Sequence, residues 1–244
     1  MAVAISEQPT KRRRQPKSVV APVPLRLEPG DHLTRVEFER RYAAMPNLKK
    51  AELIEGVVYM PSPVGNRHSE MHGSIMAWLV LYRMATPGVH LNDNATVRLD
   101  LENAPQPDAL LRLSETLGGA SRVSADDYIE GPPELIVEVA ATSASYDLHS
   151  KLRVYRRHGV AEYVVWRIFD RRIDWFYLHD GRYEPLPADE AGVVCSRVFP
   201  GLWLHIPALL AGDLVHVVAT LQEGLASTAH AAFIAAHAGL RPAT

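Results

Sequence analysis

Residues 132–151, PPELIVEVAATSASYDLHSK, combine a buried strand with the beginning of an amphipathic helix. The run from Leu135 to Ala140 is almost wholly apolar, which is typical of a strand covered on both faces of a sheet. Glu138 lies at the centre of this run. Because an unpaired buried charge is strongly destabilising, the sequence predicts either that Glu138 reaches solvent at a sheet edge or that a cationic group lies beside it.

Helical and strand patterns alternate on both sides of this stretch. Strands interleaved with helices, and a late hairpin with its turn at Asp180-Gly181, predict a single domain with a mixed sheet, of the α/β or α+β class. Gly56 is expected to form a bulge or bend within one strand. The predicted helices cover residues 33–45, 67–84 and 147–158; the predicted strands cover residues 51–60, 89–101, 108–113, 135–140 and 162–169; a hairpin covers 172–186, and a polar loop with one helical turn covers 114–133.

Composition divides the chain into three parts. Residues 1–27 contain Pro, Gln, Ser and a KRRR cluster without hydrophobic periodicity, so a disordered basic tail is expected. Residues 28–208 form the expected core domain. Residues 209–244 are Ala-rich and helical in pattern, and this extension is expected to pack either on the core or on another subunit of a homodimer. Residues 1–26 carry a net charge of +5, whereas the whole chain carries −2, which leaves about −7 for the body.

The composition also excludes several classes of protein. No apolar run approaches the length of ~18 residues that a membrane-spanning helix needs, and no apolar segment follows the basic N-terminus as in a signal peptide. A cytoplasmic protein without a membrane partner is therefore expected. The single cysteine, Cys195, excludes an internal disulfide and a zinc site built from several thiolates.

Acidic residues lie where the geometry of a sheet would tend to exclude them. Asp108 follows Pro107 and begins a strand, Glu138 lies within a strand, and Glu52 and Glu55 flank the start of an earlier strand. Hard cations take oxygen ligands, so carboxylates gathered at strand ends favour Mg²⁺ or Mn²⁺. Such a cation would also neutralise Glu138.

The helix that follows Glu138 carries a lysine at the border of its apolar face. Lys151 can lean from there towards the sheet and Glu138, where it would stabilise charge developing on a phosphoryl oxygen or orient an attacking water. Asp147 lies one turn before Lys151, so a simple surface ion pair is the alternative. The expected buried stripe is Leu148, Leu152 and Tyr155, and the basic flank is His149, Arg153, Arg156 and Arg157.

Each candidate also has an ordinary structural explanation. A Pro-Asp pair before a strand is often only a turn, and the two early glutamates fit an exposed edge strand. Glu138 fits a buried ion pair with an arginine such as Arg98. The pair His68 and His72, four residues apart without a third ligand, fits a solvated helix face as well as a metal site.

Three segments, AELIEGVVYMPSPVGNRH (51–68), PQPDALL (105–111) and PPELIVEVAATSASYDLHSKLRVYRRHGVAEY (132–163), resemble in order and spacing the Uma-two family of restriction-endonuclease-like proteins. That family is similar to a branch of the PD-(D/E)XK nuclease superfamily. The resemblance extends from Leu33 to FPGLWL at 199–204. It implies a restriction-endonuclease-like fold, with a mixed central sheet flanked by helices, to which the C-terminal helix is an addition.

The resemblance also implies roles for individual residues. Asp108 would be the first metal-binding acid and Glu138 the acid of the (D/E)XK half. The superfamily lysine normally stands two residues further on, where this chain has Ala140, and Lys151 in the following helix takes its place. Glu52 or Glu55, and His68, match other recurrent positions of the family and are candidates for accessory roles. Asp147 is a further accessory candidate.

Two functional hypotheses follow. The first is a metal-dependent endonuclease that uses Mg²⁺ or Mn²⁺ to hydrolyse nucleic acid, with DNA as the expected substrate and the basic helix flank and KRRR tail contacting its backbone. The second is a catalytically inactive protein of nuclease fold that acts as a binding or assembly module. The acidic body favours the second hypothesis, as does EYVVWR (162–167), where Val164 and Arg167 replace the tryptophan and acid of the family pattern.

Overall fold

The computed structural model describes residues 25–61, 63–141 and 143–238. The KRRR cluster and most of the predicted tail therefore lie outside the described residues. The helices are α1 (Arg35–Ala43), α2 (Asn66–Ala85), α3 (Ala144–Tyr146), α4 (Leu152–His158), α5 (Ile206–Ala211), α6 (Leu214–Leu225) and α7 (Thr228–Ala238), with a 3₁₀ turn at Glu115–Leu117 and a π turn at Asp147–Lys151. The strands are β1 (Glu52–Ile54), β2 (Val57–Tyr59), β3 (Val89–Asp93), β4 (Val97–Arg98), β5 (Ala109–Leu113), β6 (Arg122–Val123), β7 (Ile129–Glu130), β8 (Leu135–Ala140), β9 (Glu162–Arg167), β10 (Arg172–His179), β11 (Arg182–Pro185), β12 (Val193–Cys195) and β13 (Trp203–His205).

A six-stranded mixed sheet forms the centre of the fold, in the order β11-β10-β9-β8-β5-β3. Strands β8 and β9 are parallel, as expected for two strands joined by a helical crossover, and the other neighbours are antiparallel. This arrangement confirms the predicted mixed sheet flanked by helices. Because β8 lies between β5 and β9, Glu138 is not at an edge, and the solvent-exposed alternative for this residue is excluded.

Alternation along β8 directs its side chains into two separate layers. Val137 and Val139 face a hydrophobic cluster that contains Trp78 of α2, whereas Ile136 and Ala140 face a second cluster that contains Tyr155 of α4. Since successive side chains of a strand point to opposite faces, Glu138 shares its face with Ile136 and Ala140. The acid is therefore directed at the helix that carries Lys151.

The C-terminal helices pack on the α2 side of the sheet. Leu209, Val217 and Leu221 belong to the same buried cluster as the α2 residues. His230 of α7 is also buried, with Nε2 3.0 Å from the Thr86 hydroxyl and Nδ1 2.9 Å from the Leu225 carbonyl. The extension thus contacts the core, while the division at residue 208 and a homodimer stay predictions. No helix in the described ranges has the length and apolarity needed to span a membrane.

The expected single strand over residues 51–60 is wrong, because the chain reverses at Glu55 and Gly56. Both residues have positive φ angles, 52° and 75°, which is the backbone of a two-residue type I′ turn. Strands β1 and β2 therefore form a hairpin in a small sheet of its own. Residues 89–101 also divide, into β3 and β4, and residues 114–133 include β6 and β7 as well as the helical turn.

Candidate active site

Asp108 and Glu138 come together through the register of two antiparallel strands. Ala109 pairs with Val137, so the next position along the pair sets Asp108 opposite Glu138. The Val139 amide donates to Oδ2 of Asp108 over 2.8 Å. Both carboxylates are buried. The two acids singled out from the sequence therefore lie side by side on the face that α4 covers.

Lys151 is the cation beside Glu138. Its Nζ lies 2.9 Å from Oε1 of Glu138, 2.9 Å from Oε1 of Glu52 and 3.6 Å from Oδ1 of Asp147. Lys151 is only 3% exposed and Glu52 4% exposed. Glu52 and Asp147 are thus partners of the lysine in the interior, and the surface ion pair that was the alternative for Asp147 and Lys151 is wrong.

The π turn explains how two charged residues of one helix become buried. Asp147 and Lys151 are the first and last residues of the π turn between α3 and α4. A π turn contains about one residue more than an α turn. Because of this extra residue, a different set of side chains faces the sheet. Asp147 and Lys151 are buried, whereas Leu148 and Leu152 of the predicted stripe are only partly buried. Tyr155 of the predicted stripe is buried, and both leucines pack against the same hydrophobic cluster but stay partly exposed, because a regular helical period does not contain the inserted residue.

A second set of basic groups surrounds Asp108. Lys50 Nζ lies 3.2 Å from its Oδ1, and His68 Nε2 lies 3.3 Å from its Oδ2. His72 Nε2 lies 3.0 Å from the Asp108 carbonyl oxygen and 3.2 Å from Oδ1 of Asp93. The two histidines therefore do not lie on a solvated face. Lys50 was missed by the sequence reasoning, since a lysine just before a strand carries no local signal.

The two carboxylates have opposite electrostatic environments. Burial raises the pKa of Glu138 to about 8, against the attraction of Lys151, and repulsion from Asp147 and Asp108 adds to the increase. Burial alone would also raise the pKa of Asp108, but the hydrogen bond from His68 and the charge of Lys50 hold it well below its ordinary value. Asp108 is therefore ionised at neutral pH, whereas burial favours the protonated form of Glu138.

Lys151 itself is held in its charged form. Burial by itself would lower the pKa of Lys151, but attraction from Glu138, Glu52 and Asp147 together raises it well above its ordinary value. A lysine ammonium has three donors. One of them donates to Oε1 of Glu138 over 2.9 Å, whereas Glu52 at 2.9 Å and Asp147 at 3.6 Å are ion-pair partners. The described residues therefore do not use every N–H of the ammonium group.

Two tyrosines complete the wall of the cluster, and neither was a candidate in the sequence. The Tyr155 hydroxyl donates to Oε1 of Glu138 over 3.0 Å. The Tyr146 ring centroid lies 5.3 Å from Lys151 Nζ, and its hydroxyl is buried without a hydrogen-bond partner among the described residues. Nδ1 of His68 is likewise buried without a described partner. Both orphaned atoms border the acids, which is where a bound water or ligand would satisfy them.

The donor set of this cluster fits a hard divalent cation. The described residues contain no group of three or more His, Cys, Asp and Glu side chains already arranged as a metal site, and Glu138, Glu52 and Asp147 instead lie around Lys151. Four buried carboxylates nevertheless outnumber the two nearby lysine charges, and all the anionic donors are oxygens. Excess buried negative charge and oxygen ligands are what Mg²⁺ and Mn²⁺ require.

Several predicted residues lie away from the cluster. Glu55 is on the β1–β2 turn and pairs with Arg153 at 3.0 Å and Arg157 at 3.7 Å. Arg156 donates to the Gly181 carbonyl oxygen over 2.9 Å, and His149 is exposed. The four basic residues thus share the outer surface of the helix, where two of them are already paired with an acid.

Two arginines considered in the sequence analysis form ion pairs with carboxylates outside the acid cluster. Arg167, which replaces an acid of the family pattern, pairs with Asp174 at 2.8 Å and Asp170 at 2.5 Å. Arg98, the alternative partner for Glu138, pairs instead with Glu39 at 2.7 Å and with Asp126 at 2.8 Å. Neither arginine therefore neutralises the acid cluster.

Comparisons with known proteins identify the family and support the fold. A model of the Uma2 family, described as "Putative restriction endonuclease", matches residues 35–207, more than half of the chain. No curated protein matches. Among solved structures, the chain is similar to a "putative nuclease belonging to DUF820" from Anabaena variabilis ATCC 29413, with 15% sequence identity and a TM-score of 0.53 over 66% of this chain and 89% of that chain. At that identity the likeness supports the fold alone.

Proposed function

The chain belongs to the Uma2 family, and on that premise we propose that it is a metal-dependent endonuclease that hydrolyses phosphodiester bonds of nucleic acid, with DNA as the expected substrate. The observation that carries the proposal is the buried cluster in which Lys151 Nζ lies 2.9 Å from Glu138 and from Glu52. Several buried carboxylates gathered around one buried lysine are typical of a functional site.

Asp108 and Glu138 are the residues that would hold Mg²⁺ or Mn²⁺. When bound, such a cation supplies an activated water and neutralises charge on the scissile phosphate. Asp108 is ionised in advance, because His68 and Lys50 stabilise its charged form. Glu138 offers a further oxygen, since the bonds from Lys151 and Tyr155 both end on Oε1 and Oε2 accepts none from the described residues.

Lys151 contributes a fixed positive charge and N–H groups that the described residues do not all use. Held by Glu138 and Glu52, the ammonium is positioned before substrate arrives, and preorganised donors of this kind stabilise charge that develops in the transition state. Its role is to orient the attacking water or to donate to a phosphoryl oxygen. His68 orients Asp108 through Nε2 at 3.3 Å.

Substrate affinity would come from basic groups outside the acid cluster. His149, Arg153, Arg156 and Arg157 are proposed to contact the sugar-phosphate backbone, which positions nucleic acid without reading its sequence. The KRRR cluster at residues 11–14 would add salt-sensitive attraction that the acidic body lacks.

A second candidate function is a catalytically inactive nuclease fold that binds a partner. Two observations favour it. Glu138, Glu52 and Asp147 surround Lys151 instead of forming an open metal site among the described residues, and the body carries an excess of acidic residues. A protein of this kind would need neither metal binding nor an ionised Glu138.

Plasmid nicking and single-strand cleavage in Mn²⁺ test the proposal. Wild type is compared with Glu138→Gln, and with Glu223→Gln as a control at an exposed acid of α6, all purified in parallel. Cleavage by wild type and the control, but not by Glu138→Gln, supports the endonuclease. Equal cleavage by all three identifies a contaminant, and absence of both cleavage and Mn²⁺ binding favours the inactive binding protein.

A further inference from the structure

Phe169 exposes its ring to solvent beside the candidate active site. It lies in the turn between β9 and β10, is 63% exposed and belongs to none of the hydrophobic clusters of the described residues. Turns of this kind usually carry small or polar residues. The exposed ring therefore does not stabilise the core, and its face is free to contact a ligand.

Arg67 lies over this ring. Its guanidinium carbon lies 5.7 Å from the Phe169 ring centroid, within the range of a cation–π interaction. Arg67 is exposed in the first turn of α2 and forms no ion pair with any described residue. Phe169 and Arg67 therefore offer an apolar face and an unneutralised, planar cation side by side.

The chain ties this pair to the acid cluster from two directions. Arg67 immediately precedes His68, whose Nε2 lies 3.3 Å from Oδ2 of Asp108. Phe169 immediately follows Ile168, whose amide donates to the Ala140 carbonyl at the end of β8 over 3.0 Å. Since Ala140 is two residues beyond Glu138 on the same strand, Phe169 and Arg67 both adjoin segments that carry the proposed site.

We propose that Phe169 and Arg67 form a stacking subsite for an unpaired base next to the scissile phosphate. The Phe169 ring would stack on the base, and Arg67 would contact the adjoining phosphate. Bases in a continuous duplex are stacked on their neighbours and cannot offer a free face to a side chain, whereas bases of single strands can. The subsite therefore selects single-stranded nucleic acid, or a duplex end or flap that presents an unpaired nucleotide; this inference rests on the proposed function.

Equilibrium binding of fluorescein-labelled oligonucleotides separates this proposal from the catalytic one. Fluorescence anisotropy is measured in Ca²⁺, which limits cleavage, with oligo-dT and with a blunt hairpin duplex. The variants are Phe169→Ala, Phe169→Trp and Arg67→Ala. Met84→Ala and Arg83→Ala, exposed positions at the other end of α2, are the matched controls. Circular dichroism of each variant, prepared as the full chain, checks that it is folded.

The expected result is a loss of about tenfold in oligo-dT affinity for Phe169→Ala, full retention for Phe169→Trp and for both controls, and a change below about twofold on the duplex. Arg67→Ala should weaken oligo-dT binding and reduce its salt dependence. Unchanged oligo-dT binding by Phe169→Ala, an equal loss on duplex, or absence of oligo-dT binding by wild type overturns the subsite. The proposed function fails separately, on the absence of cleavage that depends on Glu138.

Discussion

Nζ of Lys151 lies 2.9 Å from Oε1 of Glu138, although 13 residues separate them in the chain. The contact is made across two elements, since Glu138 is on the central strand β8 and Lys151 ends the π turn that follows it. Each residue makes the burial of the other tolerable.

Removing the lysine should destabilise the metal-free protein severely. Lys151→Met leaves Glu138 and Glu52 buried without their cation, which costs about 3–5 kcal/mol of unfolding free energy. Urea unfolding measures the loss. The double variant Lys151→Met/Glu138→Gln should recover part of it because one uncompensated acid is gone, and a double variant that is no more stable than Lys151→Met contradicts the proposed coupling.

Stability of the metal-free protein should fall as the pH rises. The pKa of Glu138 is raised by burial to about 8 in the folded chain, above its ordinary value of 4.5. The folded state therefore prefers the protonated acid, and this contribution is complete below pH 4.5 and is lost as the pH passes through about 8. The expected decrease is on the order of 3 kcal/mol between pH 5 and 9.

Thermal or urea unfolding at a series of pH values, in the presence of a chelator, provides the measurement. Glu138→Gln cannot titrate at this position, so its stability should change less over the same range. An equally steep decline in that variant would assign the pH dependence to another group, such as Asp147, whose pKa burial also raises.

Mn²⁺ should stabilise the wild-type protein through Asp108 and Glu138. A ligand that binds only the folded state raises the unfolding free energy by about 2.7 kcal/mol at a concentration one hundred times its Kd. Asp108→Asn should abolish most of this gain. Asp180→Asn, at an exposed hairpin turn where asparagine is well tolerated, is the matched control and should keep it; titration calorimetry with Mn²⁺ and Mg²⁺ gives the affinities. Loss of the gain in both variants would point to general destabilisation.

Glu162 should matter for stability and not for metal binding. Its buried carboxylate accepts hydrogen bonds from the Trp175 indole at 3.1 Å, the Ser196 hydroxyl at 2.9 Å and the amides of Arg197 and Val198 at 2.6 and 3.1 Å. Glu162→Ala leaves these donors unsatisfied, so a loss of about 3 kcal/mol or more is expected. Chemical denaturation checks the loss, and a Mn²⁺ affinity that falls with it would place Glu162 in the metal site instead.

The basic surface of α4 should contribute to the salt dependence of nucleic-acid binding. Arg153→Ala and Arg157→Ala should each weaken binding on all sequences and lower the slope of log K against log salt by about 1. Their partner Glu55 competes for the same charges, so Glu55→Gln should strengthen binding. Arg40→Ala, on α1, is the control. An unchanged slope in both arginine variants would remove this surface from the interface.

Local patterns were sufficient to predict the main elements. An apolar run with Glu138 at its centre predicted a buried strand in which the acid reaches a sheet edge or meets a cation, and helical spacing located α1 and α2 within one or two residues. These features depend on neighbours in the chain, because the periods of strands and helices are set by the backbone itself. The turn at Glu55-Gly56 was misjudged, since the same two residues suit a bulge and a type I′ turn.

The meeting of Lys50, Glu52 and His68 with the acids depended on tertiary structure alone. Lys50 and Glu52 come from the start of the β1–β2 hairpin and His68 from α2, and their distances to the acids are set by the register of β5 on β8 and by the packing of α2 and the hairpin on the sheet. The burial of Lys151 likewise required the π turn, because a regular helical period would leave it at the border of the buried face. A sequence pattern records which side chains share a face of one element, whereas contacts between elements arise only when the whole core packs.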